Sequence, residues 1–208
     1  MNSSRVAVID YGMGNVWSVI SALRYLGAQV DLVGNPDELG SYGFLILPGV
    51  GSFRRGMQSL QDRKLDVAIH NAVSVKKRKI LGICLGMQLL GVHGTEDGET
   101  DGLGLVNQRV DRFTPQEVGE NKIPHVGFNP VHFSEQAGLF KGLHKNADFY
   151  FTHSYRMLVQ KMAGRIATCN YGIEFLAAFE INNVCGTQFH PEKSQTNGLI
   201  LLHNFLEK

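Results

Sequence analysis

Short apolar runs alternate with stretches of helical spacing through the first half of this chain. Runs of four or five apolar residues, bounded by glycine or polar residues, are typical of parallel strands buried on both faces. The predicted strands are Val6–Ile9, Gln29–Val33, Phe44–Leu47 and Lys79–Ile83. The predicted helices are Val16–Leu26 and Phe53–Lys77, the second with a break near Asp62–Lys64. This alternation predicts parallel β-α units, in which functional groups gather at the carboxyl ends of the strands.

The second half of the chain has a different pattern, with short strands in hairpin-like succession before a closing helix. The strands are predicted over Val106–Phe113, Asn129–Phe133, Asp148–Phe151, Gly164–Asn170, Phe175–Glu180 and Asn183–Gln188, and the helix over Gln195–Leu206. A chain of 208 residues is long enough for one sizeable core. We therefore predict one α/β domain over residues 1–208, with a mostly parallel central sheet flanked by helices and additional short antiparallel strands in the second half.

The composition excludes several classes of function. Lys and Arg number 20 against 19 Asp and Glu, and a net charge of +1 offers no electrostatic footprint for nucleic acid or an anionic membrane. Three cysteines without a Cys-x-x-Cys spacing predict neither a disulfide framework nor a zinc site, so neither a metal nor a cofactor is expected. No segment has the pattern of a signal peptide or a membrane span. The expected location is the cytoplasm.

One cysteine stands where the fourth predicted strand meets a helical run. Cys84 lies between Gly82 and Gly86 in the sequence Gly-Ile-Cys-Leu-Gly, the layout of a tight strand-to-helix turn that exposes a nucleophile. Glycines are expected there because a Cβ atom would collide with the neighbouring backbone. The alternative is a small buried cysteine at a β-α junction, since free cysteine is among the most buried residue types.

A nucleophilic thiol needs a base, and the base usually needs an orienting group. His190 and Glu192 follow the predicted strand Asn183–Gln188, and residues two apart in an extended segment face the same way. The carboxylate of Glu192 is therefore expected to hold one imidazole nitrogen of His190 while the other faces Cys84. His153 is the competing base, ranked second because no carboxylate lies near it in the sequence.

Attack on an amide also needs preorganised N–H donors for the oxyanion. The segment Gly49-Val50-Gly51, at the end of the third predicted strand, and the N–H of Leu85 are the candidates. Glycine on both sides of Val50 makes a peptide flip easy, which suits an oxyanion hole that opens and closes. The alternative is an ordinary glycine turn between a strand and a helix.

Three segments, in this order, resemble the signatures of class I (triad-type) glutamine amidotransferases. They are Pro48-Gly49-Val50-Gly51, Gly82-Ile83-Cys84-Leu85-Gly86-Met87-Gln88 and Gly186-Thr187-Gln188-Phe189-His190-Pro191-Glu192. Within that family, further segments are similar to the glutaminase subunits of imidazole glycerol phosphate synthases. These are Asp10-Tyr11-Gly12-Met13-Gly14-Asn15, Ile123-Pro124-His125-Val126-Gly127-Phe128-Asn129 and Tyr150-Phe151-Thr152-His153-Ser154-Tyr155. The resemblance spans most of the chain and implies the class I glutamine amidotransferase fold.

The resemblance implies hydrolysis of L-glutamine to glutamate through a thioester on Cys84, with proton transfer by His190 and orientation by Glu192. It also implies a pocket for the α-amino and α-carboxylate end of glutamine. That pocket is expected to contain Gln88, Glu96 and the backbone of Ser154 and Tyr155. An acidic residue in a glycine-rich loop such as that of Glu96 is otherwise usually a solvated surface group.

The resemblance further implies a partner, a (β/α)₈ synthase subunit that receives ammonia through an internal tunnel. Its products would be imidazole glycerol phosphate and an aminoimidazole carboxamide ribotide. Asn15, Tyr150 and Lys193 match positions that face this partner in the family. A plain surface lysine is the alternative interpretation of Lys193.

The chain departs from the family at two positions. Phe128 stands where the family commonly has tryptophan, and Val126 where it commonly has methionine. These positions leave open a paralogous glutaminase that feeds ammonia to an amidine-forming enzyme of bacterial surface-sugar biosynthesis. The remaining alternatives are a peptidase on a similar α/β fold and a non-catalytic scaffold subunit.

Overall fold

The computed structural model describes residues 5–160 and 162–207. Its helices are α1 (Val16–Tyr25), α2 (Phe53–Asp62), α3 (Leu65–His70), α4 (Leu85–Leu89), α5 (Pro115–Val118) and α6 (Gln195–Leu206). Its strands in the first half are β1 (Arg5–Ile9), β2 (Gln29–Val33), β3 (Phe44–Leu47), β4 (Lys79–Ile83), β5 (His93–Gly94) and β6 (Thr100–Asp101). Those in the second half are β7 (Arg109–Arg112), β8 (His125–Phe133), β9 (Asn146–His153), β10 (Tyr155–Met157), β11 (Arg165–Tyr171), β12 (Ile173–Ile181) and β13 (Val184–Thr187).

The strands of the two halves join in one large mixed sheet. Its order is β2-β1-β3-β4-β13-β12-β11-β8-β9. The pairings from β2 to β13 are parallel, and those from β13 to β9 are antiparallel. A second, smaller sheet has the order β10-β7-β5-β6. The predicted fold class, a parallel sheet flanked by helices with added antiparallel strands, is confirmed.

The large sheet separates two hydrophobic clusters. Alternate residues of β1 face opposite sides, so that Val6 and Val8 belong to one cluster while Ala7 and Ile9 belong to the other. The first cluster contains the buried faces of α1 and α6, and the second those of α2 and α3. Burial on both faces explains why β3 and the last four residues of β1 are continuously apolar in the sequence. None of the helices in the described part of the chain is long and apolar enough to cross a membrane.

The predicted elements differ from the observed ones mainly at their ends and in short strands. The break predicted near Asp62–Lys64 separates α2 from α3, where Lys64 has a positive φ of 57°. After α3 the backbone continues as a π-helical turn over Asn71–Val75. The strands β5, β6 and β10 were not predicted, because elements of two or three residues have no measurable periodicity.

A close approach between β3 and α4 makes glycine necessary at position 86. A Cβ atom on Gly86 would lie 1.7 Å from the carbonyl oxygen of Leu47, which is backbone and cannot move aside. We expect Gly86→Ala to lower the free energy of unfolding by about 3 kcal/mol or more, as overpacking does in rigid surroundings. Gly43→Ala is the matched control, since a Cβ there meets nothing within 4 Å. Thermal unfolding of both variants tests this, and equal midpoints would contradict it.

Candidate active site

The turn after β4 holds Cys84 in a backbone conformation that L-residues rarely adopt. Its φ is 53° and its ψ is −111°, between the end of β4 and the first residue of α4. The turn is tight because a Cβ on Gly82 would lie 2.6 Å from the N atom of Met87. Strain of this kind persists only where the surrounding structure imposes it, and it is frequent at nucleophile elbows. The sulfur is thus presented at the carboxyl edge of the sheet.

The three signature segments meet because their strands are neighbours. In the sheet, β4 lies between β3 and β13, and all three strands are parallel. The register pairs Ile83 with Thr187, and the N–H of Cys84 donates to the carbonyl of Thr187 at 2.7 Å. The carboxyl ends of the three strands therefore place Pro48–Gly51, Cys84 and the segment after Thr187 side by side.

His190 and Glu192 form a buried pair. His190 Nδ1 lies 2.8 Å from Glu192 Oε1, and the two side chains are only 4% and 2% exposed. His190 is extended, with φ −97° and ψ 96°, as expected before proline. The sequence predicts that an extended segment places Glu192 beside His190. In the structure Glu192 lies instead in a 3₁₀ turn over Pro191–Lys193, and this turn brings its carboxylate back to the ring. The carboxylate accepts the Nδ1 proton and leaves Nε2 free.

The second ring nitrogen of His190 is left beside the cavity that contains Cys84. Within the described residues, Nε2 is buried without a hydrogen-bond partner, and His190 and Cys84 line the same cavity. Burial lowers the pKa of His190, whereas Cys84 and Glu192 together raise it more, to about 10. The imidazole is therefore protonated at neutral pH.

Ser194 fixes the turn that carries His190. Its hydroxyl donates to the carbonyl of His190 at 2.6 Å and accepts from the N–H of Tyr150 at 3.0 Å. The N–H of His190 in turn donates to the carbonyl of Tyr150 at 2.9 Å. These bonds tie the turn that carries His190 to β9, the strand at the far edge of the large sheet. The sheet therefore curls back onto the site.

The segment after β3 runs beside the cysteine turn. The hydroxyl of Tyr11 donates to the carbonyl of Pro48 at 2.7 Å and so anchors the start of the segment. A Cβ on Gly49 would lie 2.3 Å from that hydroxyl, and Gly51 has a φ of 110°. As the first residue of α4, Leu85 has an N–H that the helix itself does not bond. These backbone groups lie where the sequence predicts an oxyanion hole.

One cavity of about 290 Å³ collects most of the predicted site residues. Its lining includes Val50, Gly51, Cys84, Leu85, Gln88, Glu96, Ser154, Tyr155 and His190. Gly49 and Glu192 do not line it, and they lie behind Val50 and His190 respectively. A volume near the lower end of the range for small-ligand pockets, about 300–1,000 Å³, suits a substrate of amino-acid size.

Gln88 has both of its amide protons engaged. Its Nε2 lies 3.0 Å from the carbonyl oxygen of Tyr155 and 3.0 Å from Oε1 of Gln188. The side chain is nearly fully buried, so its remaining polar atom, Oε1, is an acceptor at the cavity wall. Gln188 in turn presents its Nε2 to the sulfur of Cys84 at 3.8 Å. The two amides link the nucleophile to the rest of the pocket.

Glu96 reaches the cavity from the loop between β5 and β6. Its Oε2 accepts from the N–H of Phe53 at 3.2 Å, at the start of α2. Burial raises the pKa of Glu96, and the bond from Phe53 opposes that shift only in part. The carboxylate is therefore held in place inside the pocket wall, unlike a solvated loop residue.

His153 lines the cavity but does not face the nucleophile as a base. Its Nδ1 lies 2.8 Å from the carbonyl oxygen of Tyr155, and its Nε2 lies 3.0 Å from Nδ1 of His125. Both nitrogens are occupied, and chiefly burial lowers the pKa of His153 to about 3. A neutral ring with two engaged nitrogens cannot take a proton from Cys84, which leaves His190.

The residues predicted to face a partner are exposed, except Tyr150, which is half-buried. Lys193 places its Nζ 5.7 Å from the centre of the Tyr150 ring, and that ring lies 5.5 Å from the ring of Phe128. Phe128 is 49% exposed, which is unusual for a large aromatic side chain. Asn15 is exposed and donates to the hydroxyl of Ser18 at 3.0 Å. Phe128, Tyr150 and Lys193 thus form one exposed patch of mixed aromatic and basic character.

Several residues of the site were missed in the sequence. Gln188 stands two positions before His190 on the same side of the chain, so the period of a strand could have identified it. Tyr11 and His125 act through contacts 37 and 28 residues away, and no local pattern reveals such contacts.

Comparison with known proteins shows the family of this chain. Residues 7–208 match the model of the class I glutamine amidotransferases. The chain belongs to this family. Among curated class I relatives, it is 42% identical to imidazole glycerol phosphate synthase subunit HisH 1 of Parasynechococcus marenigrum, over 98% of this chain and 97% of the relative. It is 38% identical to subunit HisH 2 of Pseudomonas aeruginosa, over 97% and 98% of the two chains.

Solved structures of low identity share the same fold. A GMP synthase subunit of Thermoplasma acidophilum superposes with a TM-score of 0.75 at 19% identity, covering 99% of this chain and 94% of that one. The structure of PurLQS from Thermotoga maritima gives a TM-score of 0.74 at 19% identity, with 98% of both chains covered. The class I glutamine amidotransferase fold is thus present over nearly the whole length.

Proposed function

We propose that this chain is the glutaminase subunit of an imidazole glycerol phosphate synthase, which releases ammonia from L-glutamine for a synthase subunit. The observation that carries the proposal is the strained turn of Cys84 beside the buried His190–Glu192 pair, in a cavity of amino-acid size. The similarity to HisH subunits over almost the full length supports the pathway. Cytoplasmic location follows from that pathway.

The chemistry assigns one role to each member of the triad. The thiolate of Cys84 attacks the carboxamide carbon of glutamine, and the carbonyl electrons move onto oxygen. Imidazolium His190 donates its Nε2 proton to the leaving nitrogen, the C–N bond breaks, and ammonia leaves with a thioester on the sulfur. Water then attacks the thioester while His190 takes its proton, which releases glutamate. Glu192 stabilises the imidazolium throughout.

The oxyanion would be bound by backbone N–H groups. Leu85 offers its helix-terminal N–H, and the peptides around Val50 and Gly51 offer the second donor. Each such donor is worth about 10²–10³-fold in kcat when it is correctly aimed. Among the described residues, no backbone hydrogen bond is made by Val50 or Gly51. A segment anchored at Pro48 by Tyr11 can therefore change the direction of one peptide without moving the strand.

The charged end of glutamine would bind at the opposite wall of the cavity. Gln88 Oε1 and the carboxylate of Glu96 are both acceptors, so they suit the α-ammonium group. The α-carboxylate needs donors, and the backbone N–H groups of Ser154 and Tyr155 are the candidates at this wall. Acceptors for the ammonium group together with donors for the carboxylate would favour an amino acid over a simple amide, which has neither charged group.

A (β/α)₈ synthase subunit is the proposed partner, because ammonia released into neutral water becomes ammonium and ceases to be a nucleophile. The exposed patch of Phe128, Tyr150 and Lys193 lies beside His190 and suits a docking surface that covers the cavity mouth. Asn15 is a further proposed contact. The products would be imidazole glycerol phosphate and an aminoimidazole carboxamide ribotide.

The test of this function is reconstitution with the partner. A pulldown from the source organism should recover a (β/α)₈ subunit, and the purified pair should form imidazole glycerol phosphate with glutamine as the nitrogen source. Glutamate release without that product would contradict the pathway while leaving the glutaminase chemistry intact.

A second candidate acceptor is favoured by Phe128 and Val126. Both side chains are about half exposed, and they replace the tryptophan and methionine common in the family, so the docking surface differs where a partner is chosen. A paralogue that feeds an amidine-forming enzyme of surface-sugar biosynthesis would share all the chemistry of this cavity. Recovery of that enzyme instead of the synthase in the pulldown would decide for it.

We expect the isolated chain to hydrolyse glutamine slowly and to be stimulated about 10²-fold when the synthase subunit binds together with its acceptor, the effect of completing one oxyanion donor. The physical reason is the free peptide between Gly49 and Gly51, which partner docking would reorient. Steady-state kcat with and without the partner measures this. An equal kcat in both states would contradict a gated oxyanion hole.

A further inference from the structure

Two buried histidines next to the substrate cavity have no part in the reaction proposed above. His125 is fully buried and His153 is 6% exposed. The ring of His125 is stacked between two aromatic rings, with centroid distances of 4.6 Å to Phe151 and 3.9 Å to Tyr171. Burying two imidazoles beside a reactive cysteine is costly unless each polar atom has a partner.

Hydrogen bonding fixes the tautomer of both rings. The carbonyl oxygen of Tyr155 can only accept, so His153 Nδ1 carries a proton and donates to it at 2.8 Å. Neutral His153 then has an unprotonated Nε2, which accepts from His125 Nδ1 at 3.0 Å. His125 Nε2 is then unprotonated and can only accept. It lies 3.0 Å from Oδ1 of Asn129, so we assign the Asn129 amide the rotated orientation that puts its nitrogen in that place as the donor. Burial lowers the pKa of both rings, which keeps them neutral.

This chain of bonds ends at Tyr155, which lines the substrate cavity. Tyr155 is paired with Arg112 of β7, and the neighbouring carbonyl of Ser154 accepts from Phe113 at 2.9 Å. Because hydrogen-bonded and non-bonded pairs alternate in an antiparallel ladder, the N–H and C=O of Tyr155 both point away from β7. Its C=O meets His153 and Gln88, so its N–H points to the same side, toward the cavity.

We propose that His153 is a positioning residue for the α-carboxylate of the substrate, acting through the bond from its Nδ1 to the carbonyl of Tyr155. The bond holds Tyr155 so that its N–H is aimed into the cavity before substrate arrives. His125 keeps the proton of His153 on Nδ1, since its own donor needs the lone pair on Nε2. This inference rests on the proposed glutaminase function and concerns recognition of the carboxylate alone.

Two amide substitutions separate the two nitrogens of His153. The amide nitrogen of asparagine takes the place of the donor Nδ1, and the amide oxygen of glutamine takes the place of the acceptor Nε2. His153→Asn therefore keeps the donor to Tyr155 and loses the link to His125, whereas His153→Gln loses the donor and keeps the link. The two variants are matched in polarity and in the removal of the ring.

The experiment measures binding of three ligands with the partner present. They are L-glutamine as substrate, and glutaramate and 4-aminobutanamide as competitive inhibitors that lack the α-amino and the α-carboxylate group respectively. In His153→Gln we expect KM for glutamine and Ki for glutaramate to rise about tenfold, the effect of one buried hydrogen bond. The Ki for 4-aminobutanamide should not change, and kcat should change less than KM. His153→Asn should remain near wild type in all of these values.

Three outcomes would overturn the inference: equal effects of the two variants, equal weakening of all three ligands, or a loss in kcat alone. Thermal unfolding of each variant shows whether it has folded. If the wild-type chain with its partner does not hydrolyse glutamine, the proposed function fails instead. If it does and the ligand pattern is absent, only the role of His153 fails.

Discussion

Cys84→Ala is expected to lower glutamine hydrolysis by at least ~10³-fold, the loss typical when the nucleophile of a triad is removed. The expectation follows from the position of the sulfur, which lies in the cavity with His190 and receives a contact from Gln188 at 3.8 Å. Alanine has no atom that can form the thioester, while its small size preserves the turn. The measurement is glutamate release in the presence of the partner subunit.

The other two cysteines supply the control for this prediction. Cys169 and Cys185 are fully buried, and burial raises the pKa of each thiol to about 12. Cys169→Ala should therefore retain the wild-type kcat. A chloroketone analogue of glutamine should add its mass once to the wild-type chain and to Cys169→Ala, and should not modify Cys84→Ala. Near-normal turnover by Cys84→Ala would exclude the thioester mechanism, and an unmodified Cys84 in the wild type would favour a scaffold subunit.

Sequence patterns predict the parts of this fold that depend on local chemistry. The continuous apolar runs of β1 and β3 reflect burial on both faces of a sheet, and the glycines around Cys84 reflect a tight turn. Both requirements act within a few residues. They can therefore be read from one sequence.

Long-range register has no such local signal. That β4 and β13 are neighbours, with Ile83 opposite Thr187, depends on pairing across about a hundred residues. This pairing is what joins Cys84 to His190. The sequence predicts that the two side chains meet because a thiol nucleophile needs a base, and not from any signal of strand order. The contact between Tyr150 of β9 and His190 also lacks a local signal, since β9 lies at the edge of the large sheet, four strands away from β13.

The choice of the catalytic base also depends on contacts that have no local signal in the sequence. In the sequence, His153 and His190 differ only in the acidic residue near His190. In the structure, His153 has both nitrogens engaged by Tyr155 and His125, whereas Nε2 of His190 has no partner among the described residues. The choice between two histidines thus depends on side-chain contacts across strands, which periodicity does not encode.

Glu192→Gln is the second prediction of large effect, because it removes the charge and keeps the shape. The amide oxygen of glutamine can still accept the Nδ1 proton of His190, at the place where Oε1 of Glu192 lies 2.8 Å away. Without the carboxylate the imidazolium that forms in the reaction is no longer stabilised. We expect kcat to fall by about 10²-fold or more, the usual contribution of a general acid–base group.

Glu192→Gln should also change the pH dependence of kcat/KM, in a direction set by the pKa of His190. Burial lowers the pKa of His190, and Cys84 and Glu192 raise it to about 10, so the wild-type imidazolium is kept at neutral pH and lost as the pH rises through that value. Glu192→Gln removes one of the raising interactions, and the pKa of His190 should fall by about 1–3 units, the usual effect of one nearby opposite charge. The alkaline limb of kcat/KM, where the proton donor is lost, should move to lower pH by the same amount. Glu38→Gln, an exposed acid far from the cavity, should leave the limb in place. A limb that stays fixed in Glu192→Gln, or moves to higher pH, would mean that the carboxylate orients His190 without stabilising its charge.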